Sequence, residues 1–215
     1  MKLDKAYKIL EENKQTYNEI AEEFNQTRNK YDYLINELKK YIKINEKVLD
    51  LGCGSGRLCS LFFTRSELIS DRVNINYTGI DFAENLVKIA ERKYGDYFKT
   101  GDILNLPFSD ENFDSVWSIA VLHHIPSFEL RKRVLNEIKR VLKPNGRVII
   151  TCWKIKSLLR KDIFIPFQGK KRYYHIFSKK EIKKMFEKAG FKIEELKTLR
   201  DGKKKNILVV ARRLE

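Results

Sequence analysis

Residues 48–57, Val-Leu-Asp-Leu-Gly-Cys-Gly-Ser-Gly-Arg, constrain the fold more than any other stretch of this 215-residue chain. An apolar run ends in an acid, turns through glycines at every second position, and leads into a helix-like segment. That order predicts strand, loop and helix in succession. Gly52, Gly54 and Gly56 permit positive φ and let the backbone approach a ligand closely. Asp50, near the carboxyl end of the strand, is placed to meet a cationic group of that ligand. The spacing G-x-G-x-G differs from the dinucleotide fingerprint G-x-G-x-x-G, which seats a pyrophosphate at a helix N-terminus. A phosphate-binding loop therefore fits poorly, and a purely structural βα turn is the plain alternative.

Strands and helices alternate beyond this loop. Strands are predicted at 48–51, 76–80, around Phe98, at 113–120 and at 147–153. A helix over 129–142 stops at Lys143-Pro144-Asn145-Gly146, where Pro and Gly oppose continuation. Ser178 followed by Glu181 forms a capping box for another helix. Segments 191–197 and 206–211 read as a closing strand pair, with Gly202 and Lys203-Lys204-Lys205 at an exposed turn. Upstream, Ala6, Ile9, Leu10, Tyr17, Ile20, Ala21 and Phe24 recur at helical spacing, and a second helix is predicted over 28–41. Alternation of this kind implies a parallel sheet covered on both faces.

The Asp-Leu-Gly-x-Gly-x-Gly wording resembles the first motif of the class I S-adenosylmethionine (SAM) methyltransferases, and later strand ends continue the resemblance in order. It implies an α/β, Rossmann-like, doubly wound, mostly parallel seven-stranded sheet with an antiparallel C-terminal strand and N-terminal cap helices. The expected organisation is one domain over 1–215, with a cap at 1–45, a core at 46–215 and a substrate-loop insertion at about 154–177. SAM is the expected cofactor, held by Asp50, Gly52, Gly54, Gly56, Asp81, Phe82, Asp102, Ile103 and Ala120. Asp81 ends the second strand, where a carboxylate can accept from both ribose hydroxyls. Asp102 and Ile103 follow the third strand and face the adenine, although an Asp there also suits a turn. Ala120 leaves room beside the methionine moiety.

Charge is unevenly spread. Residues 131–215 carry 27 Lys+Arg against 8 Asp+Glu, whereas residues 1–130 carry 17 against 21. A basic half beside a mildly acidic one points to a phosphate-rich partner such as nucleic acid. Compositional bias is the alternative, but bias alone scatters lysines evenly. No stretch is apolar enough to span a membrane, and the charged start Met1-Lys2-Leu3-Asp4-Lys5 does not read as a signal peptide. Cys53, Cys59 and Cys152 lack paired-ligand spacing, so neither a metal site nor a disulfide framework is expected, and a reduced cytoplasm is the simplest compartment.

The remaining chemistry lies outside the SAM motifs. All three histidines fall in two places, His123-His124 after the fourth strand and His175 in Arg172-Tyr173-Tyr174-His175. Together with Tyr17-Asn18-Glu19-Ile20-Ala21, Phe24-Asn25-Gln26-Thr27-Arg28, Ser118-Ile119-Ala120-Val121-Leu122 and Asp162-Ile163-Phe164-Ile165-Pro166, these blocks resemble the tRNA wobble-uridine carboxymethyl methyltransferases. Phe167 departs from that pattern, which has Trp after the Pro. The resemblance implies esterification of a 5-carboxymethyl group on uridine 34 in the anticodon stem-loop. It places Arg28, His124, Arg172 and His175 on the substrate carboxylate or base, and Tyr31, Tyr173 and Tyr174 in base stacking. It also implies a small zinc-binding activator protein that covers a sheet edge near residues 97–99. A small-molecule methyltransferase and a non-catalytic SAM-binding RNA adaptor are the alternatives.

Overall fold

A computed structural model describes residues 1–27, 33–62, 76–155, 161–202 and 204–215. Its helices are α1 (Leu3–Glu19), α2 (Ala21–Gln26), α3 (Tyr33–Leu38), α4 (Glu84–Tyr94), α5 (Phe128–Val141) and α6 (Lys179–Lys188). Its strands are β1 (Val48–Leu51), β2 (Tyr77–Asp81), β3 (Phe98–Thr100), β4 (Phe113–Ile119), β5 (Leu142–Trp153), β6 (Asp162–Phe167), β7 (Lys170–His175), β8 (Phe191–Asp201) and β9 (Lys204–Arg213). Seven of them form one sheet in the order β3-β2-β1-β4-β5-β9-β8. The pairs from β3 to β5 are parallel, and β9 alone runs against its neighbours β5 and β8. This is the mostly parallel class I arrangement expected above.

Side-chain alternation along the strands separates two apolar layers, as the strand period of two requires. Val116, Val148, Ile150, Ile207 and Val209 meet Val134 and Ile138 of α5 and Ile182 and Phe186 of α6. Trp117, Ile149, Leu208 and Val210 face the opposite layer with Leu34 and Leu38 of α3 and Val87 and Ala90 of α4. Ser127 Oγ accepts from the Leu130 amide at 3.2 Å and caps α5. Ser178 Oγ accepts from the Glu181 amide at 3.1 Å and caps α6, as its sequence pattern requires.

Four local expectations change. The chain after the glycine loop enters a short 3-10 turn, Cys59–Leu61, rather than an α-helix within the described residues. The N-terminal apolar stripe is broken at Ile20 into α1 and α2. In place of one helix over 28–41, α3 is followed by a 3-10 turn, Lys39–Tyr41, and residues 28–32 lie outside the described residues. Part of the 154–177 segment is ordered as the antiparallel β6–β7 hairpin. That hairpin turns through Gln168 and Gly169, both at positive φ, and its β7 strand packs against α1.

Candidate active site

A cavity of about 400 Å³ opens at the carboxyl ends of the parallel strands, where β1 and β4 diverge to opposite sides of the sheet order. Helix α1 closes it from above with Tyr7, Leu10, Lys14 and Tyr17, and Phe24 of α2 adds a further wall. Gly52, Gly54, Asp81, Phe82, Asp102, Ile103 and Ala120 all line it, so seven of the nine residues expected at the cofactor converge on one space.

The two glycines serve it differently. Gly52 has φ +73°, and a Cβ there would sit 2.4 Å from Val121 Cγ2, so the loop packs directly on the segment after β4. Gly54 has φ +54°, and a Cβ would meet only Phe24, 4.0 Å away across the cavity. A side chain at Gly54 would project into the space that a ligand needs.

Asp81 is buried, and the loop is tied to it. Its Oδ2 accepts from the Gly54 amide at 2.9 Å and its Oδ1 from the Ala83 amide at 2.9 Å. Each oxygen keeps lone-pair capacity for a hydroxyl donor. Burial pushes its pKa up to about 6, against the pull of backbone amides at Ala83, Gly54 and Phe82, so it is mainly ionised at neutral pH. Asp102 lines the cavity and also serves a turn, its Oδ1 accepting from the Leu104 amide at 2.8 Å. Ala120 holds φ +63°, pinned by its N–H donating to the Thr151 carbonyl (3.0 Å) and to Thr151 Oγ1 (3.1 Å). A non-glycine residue held in the left-handed region is the kind of strain that accumulates at ligand sites. This donor set, a backbone cradle plus a buried ionised acid, fits the ribose and the close-fitting nucleoside of SAM.

Two of the nine residues expected at the cofactor lie off the cavity. Asp50 does not line the cavity. It lies beneath the loop and accepts from the Tyr77 hydroxyl at 2.7 Å. Desolvation, opposed by that hydrogen bond and reinforced by nearby Asp81, pushes its pKa up to about 7. Gly56, φ +80°, also lies off the cavity. A Cβ there would meet the Tyr94 ring at 2.8 Å, so it lets the loop dock on α4.

The acceptor residues divide in the same way. His124 and Tyr174 line the cavity. His124 Nδ1 is 2.8 Å from the Tyr173 carbonyl, which can only accept, so Nδ1 carries a proton. In the neutral ring, Nε2 then accepts from the Tyr17 hydroxyl at 2.9 Å, rather than donating to a ligand. The Tyr174 ring packs near-parallel to both His123 (5.1 Å, 13°) and Trp153 (5.2 Å, 23°), which also touch each other at 5.8 Å, with His124 edge-on at 4.4 Å.

Arg172 is buried and does not line the cavity; its guanidinium sits behind two lining rings. It lies 5.7 Å from the Tyr17 ring, 5.6 Å from Tyr174 and 4.7 Å from Phe167, and Nη1 donates to the Tyr17 hydroxyl at 3.4 Å. Among the described residues no carboxylate pairs with it, and Nε has no acceptor.

Tyr173 and His175 are placed elsewhere. Tyr173 is fully buried with its hydroxyl on Asp162 Oδ1, 2.5 Å away. His175 Nδ1 meets Asp162 at 2.8 Å and Nε2 meets Glu181 at 2.7 Å, which ties the β6–β7 hairpin to α6. Both lie off the cavity and anchor the hairpin. Arg28 and Tyr31 lie outside the described residues.

Sequence reasoning missed Tyr17, Lys14, His123 and Trp153 as lining residues. Tyr17 sits in an apolar helical stripe and reads as core. Its signal was the polar hydroxyl, which a buried tyrosine must hydrogen-bond. No metal-ligand cluster occurs among the described residues, and the three cysteines are buried and free.

Comparison with known proteins agrees with this geometry. Residues 49–150 match the family described as "Methyltransferase domain". The chain is 30% identical over 192 residues to a protein of Encephalitozoon cuniculi named as a methyltransferase, covering 82% of this chain and 85% of that protein. It is 33% identical over 149 residues to the tRNA (carboxymethyluridine(34)-5-O)-methyltransferase of Arabidopsis thaliana, covering 67% of this chain and 34% of that protein. The Saccharomyces cerevisiae protein of the same name is 29% identical over 161 residues, covering 70% and 54%. The chain thus spans about a third to a half of the length of these plant and yeast relatives. Among solved structures, a Burkholderia thailandensis 1,6-didemethyltoxoflavin-N1-methyltransferase with bound S-adenosylhomocysteine superposes with TM-score 0.74 at 15% identity, covering 97% of this chain and 90% of that one. A SAM-dependent methyltransferase of Methanosarcina mazei gives TM-score 0.68 at 22% identity, covering 86% and 98%.

Proposed function

Because the chain belongs to the class I SAM-dependent methyltransferase family, we propose that it methylates the carboxylate of a 5-carboxymethyl group on the wobble uridine of tRNA. The relatives that carry that activity in their names support this reading. The single observation in this chain that carries it is Arg172. Among the described residues this buried guanidinium meets the Tyr17 hydroxyl and three aromatic faces but no carboxylate, and an anion drawn into the neighbouring cavity offsets part of that cost.

When bound, SAM supplies a methyl group on a positively charged sulfur, and S-adenosylhomocysteine is the product. An acid with a pKa near ~4 is already ionised at neutral pH, so the site needs no strong general base. Its work is placement of the reacting atoms. Arg172 attracts the carboxylate, and Tyr17 and Tyr174 separate that cation from bulk water. Tyr17, oriented by Arg172 on one side and by His124 on the other, holds a hydroxyl at the cavity wall. Tyr174, braced by His123 and Trp153, offers an aromatic edge for a flipped-out base. Arg28 is assigned to the same carboxylate and Tyr31 to base stacking on the resemblance alone.

The proposal extends to organisation. Residues 1–215 act as one methyltransferase domain in the cytoplasm; among the described residues no helix is long and apolar enough to cross a membrane. Strand β3 is an edge of the sheet with Tyr97 partly exposed beside it, and a small zinc-binding activator would cover it by strand addition. Mass spectrometry of wobble nucleosides from cells lacking this gene tests the assignment. Loss of the methyl ester with accumulation of the free acid is expected. An unchanged methyl ester with no free acid overturns it.

A further inference from the structure

Building on the proposed tRNA substrate, we infer that the end of the β8–β9 hairpin is a docking surface for the phosphodiester backbone of that RNA. Trp153 pairs with Asn206, and one step further the Lys154 amide donates to the Lys205 carbonyl at 2.9 Å. Lys205 is in turn paired with Arg200. Lys154, Lys205 and Arg200 therefore form one row across three adjacent segments. Like charges set directly opposite each other on a sheet are destabilising. Folding alone gives no reason for such a row, and a polyanion relieves its repulsion.

The position of the row fits a substrate that enters the cavity. Strand β8 runs in the same direction as β5, so Arg200 lies at the same end of the sheet as Trp153, which lines the cavity. Lys154 and Arg200 are exposed and Lys205 is half-buried. With strands about 4.8 Å apart the row spans about 10 Å, close to the rise of three nucleotides at about 3.4 Å each along one strand.

Several other cations in this basic half are already neutralised. Arg140 meets Asp110 and Glu137, Lys143 meets Asp114, Arg147 meets Glu46, Arg212 meets Glu194 and Arg213 meets Glu111. Those pairs tie elements of the fold together. Among the described residues, the row forms no ion pair, and its one side-chain bond is a 3.4 Å contact from Lys154 Nζ to Thr198 Oγ1.

The test compares the full chain with a Lys154→Gln/Arg200→Gln/Lys205→Gln variant on anticodon stem-loop RNA bearing 5-carboxymethyluridine. Binding is read against KCl concentration, and SAM binding is measured in parallel. The variant is expected to bind RNA on the order of tenfold more weakly and to lose about three units of salt slope. SAM affinity should match the wild type and the melting temperature should hold or rise, because the row lines neither the cavity nor the core and its repulsion is removed. Each single replacement should remove about one unit of slope, which keeps the test valid if the triple variant folds poorly. An unchanged slope and affinity overturn the docking surface. So does loss of an acidic protein partner with RNA binding intact. Failure of the wild-type chain to methylate the RNA overturns the proposed function instead.

Discussion

The floor of the cavity and its far wall are built by different means. The floor is backbone: positive-φ glycines, amides donating to Asp81, and Ala120 strained into place. Its shape follows from a handful of adjacent residues and survives only if those conformations do. The wall is a side-chain relay gathered from α1, the turn after β4 and the β6–β7 hairpin, running from Arg172 through Tyr17 to His124. The floor accounts for donor binding and the wall for acceptor choice, so substitutions in each should fail in separable ways.

The largest effect concerns the acid beneath the floor. Folded Asp50 keeps its proton up to about pH 7, whereas in the unfolded chain it ionises near the ordinary carboxylate value. Its contribution to stability is therefore full at acid pH and is lost as pH rises through the folded pKa. Urea unfolding of Asp50→Asn should remove about 3–4 kcal/mol of pH-dependent loss between pH 4 and 8. SAM affinity should stay at the wild-type level; a collapse in affinity would return Asp50 to the cofactor site. Next, Asp81→Ala should weaken SAM about a hundredfold by calorimetry, the worth of two charge-assisted hydrogen bonds. Normal affinity in that variant would break the assignment of the floor.

The wall should respond without disturbing SAM. Arg172→Met should lower kcat/KM on tRNA about thirtyfold. Its melting temperature should hold or rise, because an unpaired buried cation is replaced by an apolar chain. A large loss of stability at wild-type activity would make Arg172 a structural residue. Smallest is Tyr17→Phe, which removes the hydroxyl between Arg172 and His124 and should cost about fivefold in kcat/KM. Unchanged turnover would remove Tyr17 from the relay.

The same contrast explains what the sequence disclosed. The floor is local: Gly52 and Gly54 follow their strand directly, Asp81 ends its own and Asp102 follows the end of another, so the family resemblance could be read off in chain order. Asp50 and Gly56 share that motif yet face away, because the loop must be anchored below on Tyr77 and beside Tyr94. The wall is non-local. His124 touches Tyr17 across 107 residues, and no spacing rule predicts that meeting. His175 carried a catalytic residue type in a suggestive block, but Asp162 and Glu181 occupy both its nitrogens. The three-cation row was visible only as basic bias until strand register aligned it.

The central claim is that the wall selects an ionised carboxylate. Methyl transfer from SAM should be measured on two tRNAs that differ only at the wobble base, one bearing 5-carboxymethyluridine and the other the neutral 5-carbamoylmethyl amide. The account predicts a methyl ester on the acid and no transfer to the amide. Equal transfer to both, or transfer to neither alongside rapid methylation of a small metabolite, would contradict it.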